Sequence, residues 1–380
     1  AMTPDLLLAL AWTASLAVIA AAIASPPGGA RAAAAFAMGG LLAGVAAASK
    51  VSGLLLLAAL PAAYLAPPLR RHARTIAPWA GLAAGALVVL PVALFEARAG
   101  WPMLRHRLVD TQAASGLSLR NVGALVGGQL LYLSPIAAGL AVLAAREAWR
   151  GRGDAIGRLL VACFLVPLAP LLALCLWSRT AEPHWIAPAL LALAPAAARA
   201  SWTPPRRLVV ASCALAAVLV AGVHVWTLVP SAIRLAPASY DPRLDLTNEL
   251  YGWPRVIAAV REEALESWSP GAERGEVVVA GPHWVVCAQL EAALRGEWPV
   301  GCDTPVHDDF DTWWPRARWK EADAIVWVSD ARFEPWPEIP SYAPLLSTYV
   351  PLRSRDVRID RDGRVVRVFT ITVLVRRARA

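Results

Sequence analysis

Long apolar runs separated by short polar segments dominate the first 229 positions of the chain. A helix needs about 20 mostly apolar residues to cross the hydrocarbon core of a bilayer. The pattern therefore predicts eight membrane-spanning helices, of which the second and third are short and are separated only by Ser49 and Lys50. The predicted helices are 6–24, 32–48, 51–66, 77–95, 122–144, 159–177, 186–199 and 208–229.

After position 229 the apolar runs become short, and helical spacing alternates with runs typical of buried strands. Asp362 and Gly363 interrupt the last alternating region, and this pair is typical of a hairpin turn. The predicted elements are helices at 250–267 and 284–294, strands at 276–280 and 324–328, and a hairpin over 348–375.

Composition supports this division. The chain is 57% hydrophobic and 17% charged, with a mean hydropathy of +0.50. Residues 1–229 hold 17 Lys and Arg against 6 Asp and Glu, and residues 230–380 hold 19 against 22, which sum to 36 and 28. The basic excess lies in the apolar part, which favours basic cytoplasmic loops and argues against a nucleic-acid partner. We expect a mainly α-helical membrane domain over 1–229, followed by a small soluble α/β domain over 230–380.

Arginine-rich loops predict the orientation. The arginine-rich loops 67–76, 145–158 and 199–207 occupy alternate positions along the chain, so we expect all three to face the cytoplasm. The remaining loops and the tail then lie outside the cytoplasm. If 32–48 and 51–66 cross separately, Lys50 and Asp5 also lie outside. If they form one span, Asp5 faces the cytoplasm and Lys50 lies near the middle of the membrane.

Ionisable residues gather in the outer segment 178–185, which contains Arg179, Glu182, His184 and Trp185. Ionisable groups at membrane depth are costly and are usually functional, so this segment is a candidate site. The alternative interpretation is an interfacial loop with its charges among lipid headgroups and with Trp185 as an anchor.

Further basic side chains lie on the same predicted face. Lys50 is one of two lysines among the 36 basic residues. Its compact ammonium suits an anionic headgroup such as a phosphate, although it could instead extend to the interface from a helix end. Arg105 and Arg107 lie in a short amphipathic stretch that either binds phosphate or only covers the membrane surface.

The tail contains two cysteines, Cys287 and Cys302. If the tail faces an oxidising compartment, we expect them to form a disulfide, and otherwise they are two small core residues. A disulfide requires Cα atoms about 4.4–6.8 Å apart. No metal-type spacing or cofactor motif is found in the sequence, so neither a metal site nor a cofactor is expected.

A series of short motifs runs through the chain in a fixed order. These are Thr3-Pro4-Asp5, Ser49-Lys50, Glu96–Trp101 (EARAGW), Gly127–Pro135 (GGQLLYLSP), Glu182–Trp185 (EPHW) and Tyr251-Gly252-Trp253. In this order they resemble the C-terminal two-thirds of bacterial polytopic glycosyltransferases of the family-39/83 type. That family includes the lipid A aminoarabinose transferase and the protein O-mannosyltransferases. Each motif is short, and the resemblance depends on their order over essentially the whole chain.

The resemblance implies a GT-C fold, in which a helical membrane domain carries the active site on its outer face. It also implies a polyprenyl-phosphate-linked sugar donor, a lipid or glycan acceptor, and a bacterial inner membrane with a periplasmic C-terminal domain. Fixed positive charge would stabilise the phosphate leaving group. The residues expected to bind the donor phosphate are Lys50, Arg105, Arg107 and Arg179, and those expected to bind substrate are Asp5, Glu182, His184 and Trp185.

The sequence departs from the family at several points. Glu96 and His184 stand where relatives often have Asn. The catalytic carboxylate of the family lies in the first outer loop, which would precede Ala1, so no catalytic residue is assigned within the chain. Two other functions remain open, a polytopic transporter or flippase of lipid-linked sugars and a non-catalytic membrane assembly subunit.

Overall fold

The computed structural model describes residues 4–377 apart from 110–114, 179–181, 200–202, 268–275, 306–307, 335 and 338, and apart from the side chains of 4, 106 and 107. The chain forms two compact units, Ala1–Val218 and Leu219–Ala380. The boundary between the two units falls inside the last long apolar helix.

The first unit is helical. Short 3-10 turns, Val51–Gly53 and Pro183–Ile186, precede two of its helices. The helices are α1 (Pro4–Ile23), α2 (Ala30–Ser49), α3 (Leu54–Tyr64), α4 (Arg70–Ala73), α5 (Ala77–Arg98), α6 (Pro102–Leu108), α7 (Leu119–Arg150), α8 (Ala155–Trp177), α9 (Ala187–Leu190), α10 (Leu193–Ala198) and α11 (Arg206–Leu228), the last being shared with the second unit.

Within the described part of the chain, six helices are long and apolar enough to span a membrane, namely α1, α2, α5, α7, α8 and α11. The segments Val51–Tyr64 and Pro67–Ala73 meet at a bend of 80°. If the two together count as one span, the number of candidate spans rises to seven. The prediction of eight helices is therefore wrong. It fails at 186–199, where the structure has two short helices, because Pro183, Pro188 and Pro195 each remove a backbone donor.

One end of the first unit, which we call the lysine end, brings together the starts and ends of several helices. Lys50, directly after α2, forms an ion pair with Asp5 at the start of α1. The start of α3 packs against the end of α8, since Leu55 belongs to the apolar cluster of Cys175 and Ile186. Lys50 follows the end of α2 and precedes the 3-10 turn that leads into α3. The predicted segments 32–48 and 51–66 therefore belong to separate helices.

The opposite end, which we call the arginine end, holds the basic loops. The imidazole of His72, in α4, lies 3.2 Å from the carbonyl oxygen of Ser25, which follows α1. Arg199, after α10, donates to Asp154 at the start of α8. The loops that carry the arginine clusters thus share one end of the unit, opposite Lys50.

Helices α2 and α5 approach so closely that only glycine fits between them. Gly40 and Gly44 of α2 face Gly81 and Gly85 of α5. A Cβ atom added to Gly40 would lie 1.8 Å from the carbonyl oxygen of Gly81, and one on Gly44 would lie 2.4 Å from that of Gly85. Each helix carries a GxxxG motif, the pattern that allows close backbone contact in membranes.

Helix α7 is interrupted at Ser134, whose backbone has φ 66° and ψ 155°. Pro135 follows, and the residue before a proline is driven away from the helical conformation. The Ser134 hydroxyl accepts from the backbone N–H of Ala137 at 3.3 Å, which caps the second half of the helix.

The second unit is a five-stranded sheet with helices. Its elements are α12 (Trp253–Glu266), β1 (Val277–Gly281), α13 (Trp284–Leu294), β2 (Val300–Cys302), α14 (Asp309–Trp313), α15 (Arg316–Trp319), β3 (Ala324–Asp330), β4 (Tyr349–Arg361) and β5 (Arg364–Arg376). The strand order is β2-β1-β3-β5-β4, with β1 parallel to β2 and β3 and with β5 antiparallel to β3 and β4. Asp362 and Gly363, with φ of 50° and 81°, make the tight turn of the β4–β5 hairpin.

The two cysteines of the tail join α13 to β2. Cys287 and Cys302 form a disulfide with their Cα atoms 5.9 Å apart. Both side chains are buried in the main apolar cluster of the unit. The pair therefore fixes the short strand β2 to the helix that precedes it.

Candidate functional site

Lys50 lies at a sharp break between α2 and α3. Its backbone is extended, with φ −156° and ψ 139°, and the chain then enters the 3-10 turn Val51–Gly53. Gly53 is required there, because an added Cβ atom would lie 2.3 Å from the carbonyl oxygen of Ala46. The break holds the lysine side chain at the lysine end and prevents α2 from continuing.

Asp5 is the counter-ion of Lys50, with Nζ and Oδ1 2.5 Å apart. The side chains are 26% and 47% exposed, respectively. An ion pair this accessible contributes about 0–1 kcal/mol, because water screens it. An anionic ligand could therefore replace the Asp5 carboxylate at modest cost.

The EPHW motif provides the other polar group of the site. His184 Nδ1 lies 3.1 Å from Glu182 Oε2, and both side chains are partly exposed. The Gln129 side chain donates to the carbonyl oxygen of Pro183 at 2.6 Å, and the ring of Tyr132 meets His184 edge-on at 6.4 Å. Two of the motifs that carry the family resemblance are thus in contact with each other.

The start of helix α7 is also hydrogen-bonded to the end of α8, close to the EPHW motif. Asn121 donates from its side chain to the carbonyl oxygens of Leu176 and Ser178, at 2.9 and 3.3 Å. Asn121, Gln129 and Tyr132 were not among the residues expected at the site, although Gln129 and Tyr132 belong to the GGQLLYLSP motif. The available signal was helical spacing, since Gln129 and Tyr132 are three positions apart in α7 and so share one face.

The EARAGW motif shapes the start of α6. The buried Glu96 side chain accepts from the backbone N–H of Met103 at 3.1 Å, and Trp101 adopts a left-handed conformation with φ 60°. Arg105 is exposed on α6. Arg107 belongs to the same helix, but its side chain lies outside the described residues, as does the whole of Arg179. Their roles at a donor phosphate remain predictions.

Three of the predicted substrate residues lie in pairs, Asp5 with the predicted phosphate ligand Lys50 and Glu182 with His184. Apolar packing connects the segments that carry them, because Leu55 and Trp185 pack in one cluster around Ile186.

Two open cavities lie at the arginine end, away from these pairs. Their volumes are about 260 and 360 Å³, and Glu147 lines both. Asp154 and Arg199, which pair with each other, line the first. Among the residues that the structure describes, no group of three or more His, Cys, Asp or Glu side chains could hold a metal ion.

The class of protein follows from the helices and the sheet, which indicate a multi-pass membrane protein with a small C-terminal sheet domain. Comparison of the chain with protein-family models, curated proteins and solved structures finds no match.

Proposed function

We propose that the chain belongs to a membrane glycosyltransferase of the GT-C kind. The enzyme transfers a sugar from a polyprenyl-phosphate-linked donor to a lipid or glycan acceptor on the periplasmic face of a bacterial inner membrane. The observation that carries the proposal is the position of Lys50, which pairs with Asp5 at the end of the first unit opposite the arginine-rich loops.

The charges at the lysine end suit the reaction. A phosphate leaving group gains negative charge as the glycosidic bond breaks, and a fixed ammonium stabilises that charge. Lys50 supplies the ammonium, and Asp5 holds it in place until the donor arrives. The acceptor hydroxyl must lose a proton, which requires a carboxylate or imidazole within hydrogen-bond reach. Glu182 and His184 lie at this end to hold the acceptor.

Donor binding can be measured separately from catalysis. The full chain in lipid nanodiscs would be titrated with undecaprenyl phosphate and binding followed by native mass spectrometry. We expect Lys50→Ala to weaken binding about tenfold, equivalent to ~1.4 kcal/mol. Lys50→Arg should retain part of the affinity, because it keeps the positive charge.

Arg71→Ala is the matched control, since Arg71 is an exposed cation at the arginine end. It should leave the affinity unchanged. Equal losses for Lys50→Ala and Arg71→Ala would mean that binding follows net charge, and the assignment of Lys50 to the phosphate would be wrong.

A flippase of lipid-linked sugars is the second candidate function. The observation that favours it is the interruption of α7 at Ser134, together with the 80° bend after α3. Broken helices are common in transporters. The two functions are separated in proteoliposomes that carry a fluorescent lipid-linked sugar and an acceptor. Formation of a glycosylated acceptor supports the transferase, whereas protection of the lipid from an external quencher, without product, supports the flippase.

A further inference from the structure

The segment that follows α11 exposes several leucines. Between residues 230 and 250 the chain forms three 3-10 turns, Pro230–Leu235, Pro242–Leu244 and Leu246–Leu250. We call the exposed leucines of these turns the leucine collar. They are Leu235, Leu244, Leu246 and Leu250, and they are 82, 82, 67 and 65% exposed.

The charged side chains of the same segment are all paired within the second unit. Asp245 accepts from Trp226 Nε1 at 2.8 Å and from the Tyr240 hydroxyl at 2.7 Å, and Arg361 Nη1 lies 3.8 Å from its Oδ2. The other pairs are Arg234 with Asp362, Asp241 with Arg243, and Glu249 with Arg332. The collar therefore presents apolar side chains beside charges that are already neutralised, which lowers the cost of leaving water.

The collar is also fixed to the end of a membrane-spanning helix. Helix α11 has a mean hydropathy of 2.4, and none of its span is buried inside the protein. The Tyr251 hydroxyl donates to the carbonyl oxygen of Thr227 at 2.5 Å, and Asp245 binds Trp226 in the last turn of the helix. The collar thus lies at the level where α11 leaves the bilayer.

We propose that the leucine collar rests in the lipid surface around the end of α11. Its leucines enter the boundary between headgroups and acyl chains, as the apolar face of an interfacial segment does. Trp226 and Tyr240 lie where membrane proteins commonly place aromatic anchors. This role does not depend on the transferase function proposed above.

Spin labels can locate the collar. Labels would be attached to Leu244→Cys and Leu246→Cys in a Cys213→Ser background, because Cys213 is the exposed free cysteine of the described residues. The full chain would be placed in vesicles of phosphatidylethanolamine and phosphatidylglycerol. Matched controls are Leu265→Cys and Leu352→Cys, whose leucines are 56 and 62% exposed elsewhere in the second unit.

We expect collar labels to collide with dissolved oxygen more often than with a water-soluble nickel chelate, and control labels to show the reverse. Nickel accessibility equal to that of the controls would place the collar in water and overturn the proposal. Protection from both reagents would overturn it as well, because the collar would then be covered by protein, such as a second copy of the chain.

Discussion

Arg199 lies beside Asp154, 45 residues earlier in the chain, with Nη2 3.1 Å from Oδ1. Asp154 starts α8, whereas Pro183 follows the end of that helix and is held there by Gln129. The segment from 183 to 199 therefore returns along the whole length of α8, although it is not one continuous helix. Its two ends lie at opposite ends of α8, which is the arrangement that the predicted alternation of the arginine-rich loops requires.

The tail is accordingly expected outside the cytoplasm. Alkaline phosphatase, which is active only outside the cytoplasm, should be active when fused after Ala380. The same reporter fused after Gly153, in an arginine-rich loop, should be inactive. Activity in the Gly153 fusion and silence in the Ala380 fusion would reverse the orientation and remove the periplasmic assignment.

The contact between α2 and α5 predicts a loss of stability on a very small change. In Gly40→Ala the added methyl group would lie 1.8 Å from the backbone oxygen of Gly81, so the two helices must move apart. Overpacking of this kind costs about 1–3 kcal/mol. Thermal unfolding of the purified chain in detergent should show a clearly lower midpoint.

Gly139→Ala is the control for this prediction. Gly139 lies in α7, and nothing is within 4 Å of its would-be Cβ atom. Because alanine favours helices more than glycine does, the midpoint should stay the same or rise slightly. An unchanged midpoint in Gly40→Ala would show that the two helices are not packed as described.

Much of the local structure was predictable because it depends on local patterns. The helix predicted at 284–294 is α13, Trp284–Leu294, and the strand predicted at 276–280 is β1, Val277–Gly281. Strand β2 was not predicted, because three residues are too few to show an alternation. It exists through pairing with β1, which is a long-range effect.

The candidate site was predictable only in part for the same reason. The sequence indicated that Lys50 and Asp5 are unusual, but it left two topologies open, since their pairing spans 45 residues. The GxxxG motifs of α2 and α5 are visible in the sequence, yet nothing local indicates that they face each other. The contact of Gln129 with Pro183 likewise depends on how α7 packs against α8.

His283 predicts a pH-dependent stability of the second unit. Its ring stacks on Phe333 with centroids 3.9 Å apart, and burial, followed by the charge of Arg332, lowers the pKa of His283 to about 4. An unfolded histidine has a pKa near 6.5, so between these values the unfolded state binds the proton more strongly. The stabilisation is complete above about pH 6.5 and is lost as the pH falls towards 4.

We therefore expect a lower melting temperature at pH 5 than at pH 7 for the full chain. Carboxylates also titrate at low pH, so the comparison is with His283→Asn. Asparagine keeps a side-chain acceptor for the backbone N–H of Val285 at the start of α13 but does not titrate. The variant should lose less stability between the two pH values. An identical loss in both proteins would contradict the assignment to His283.

The disulfide of the second unit provides the last prediction. Cys287 and Cys302 close a loop with a sequence separation of 15, and a loop of that size contributes about 3 kcal/mol to stability. Replacing both cysteines with serine should lower the melting temperature of the second unit. In the native chain a maleimide should reach Cys287 and Cys302 only after both reduction and unfolding, because the two side chains are buried and joined to each other. Mass spectrometry counts the added groups. Modification of Cys287 and Cys302 in unfolded but unreduced protein would show that the two thiols are free, and the oxidising location of the tail would lose this support.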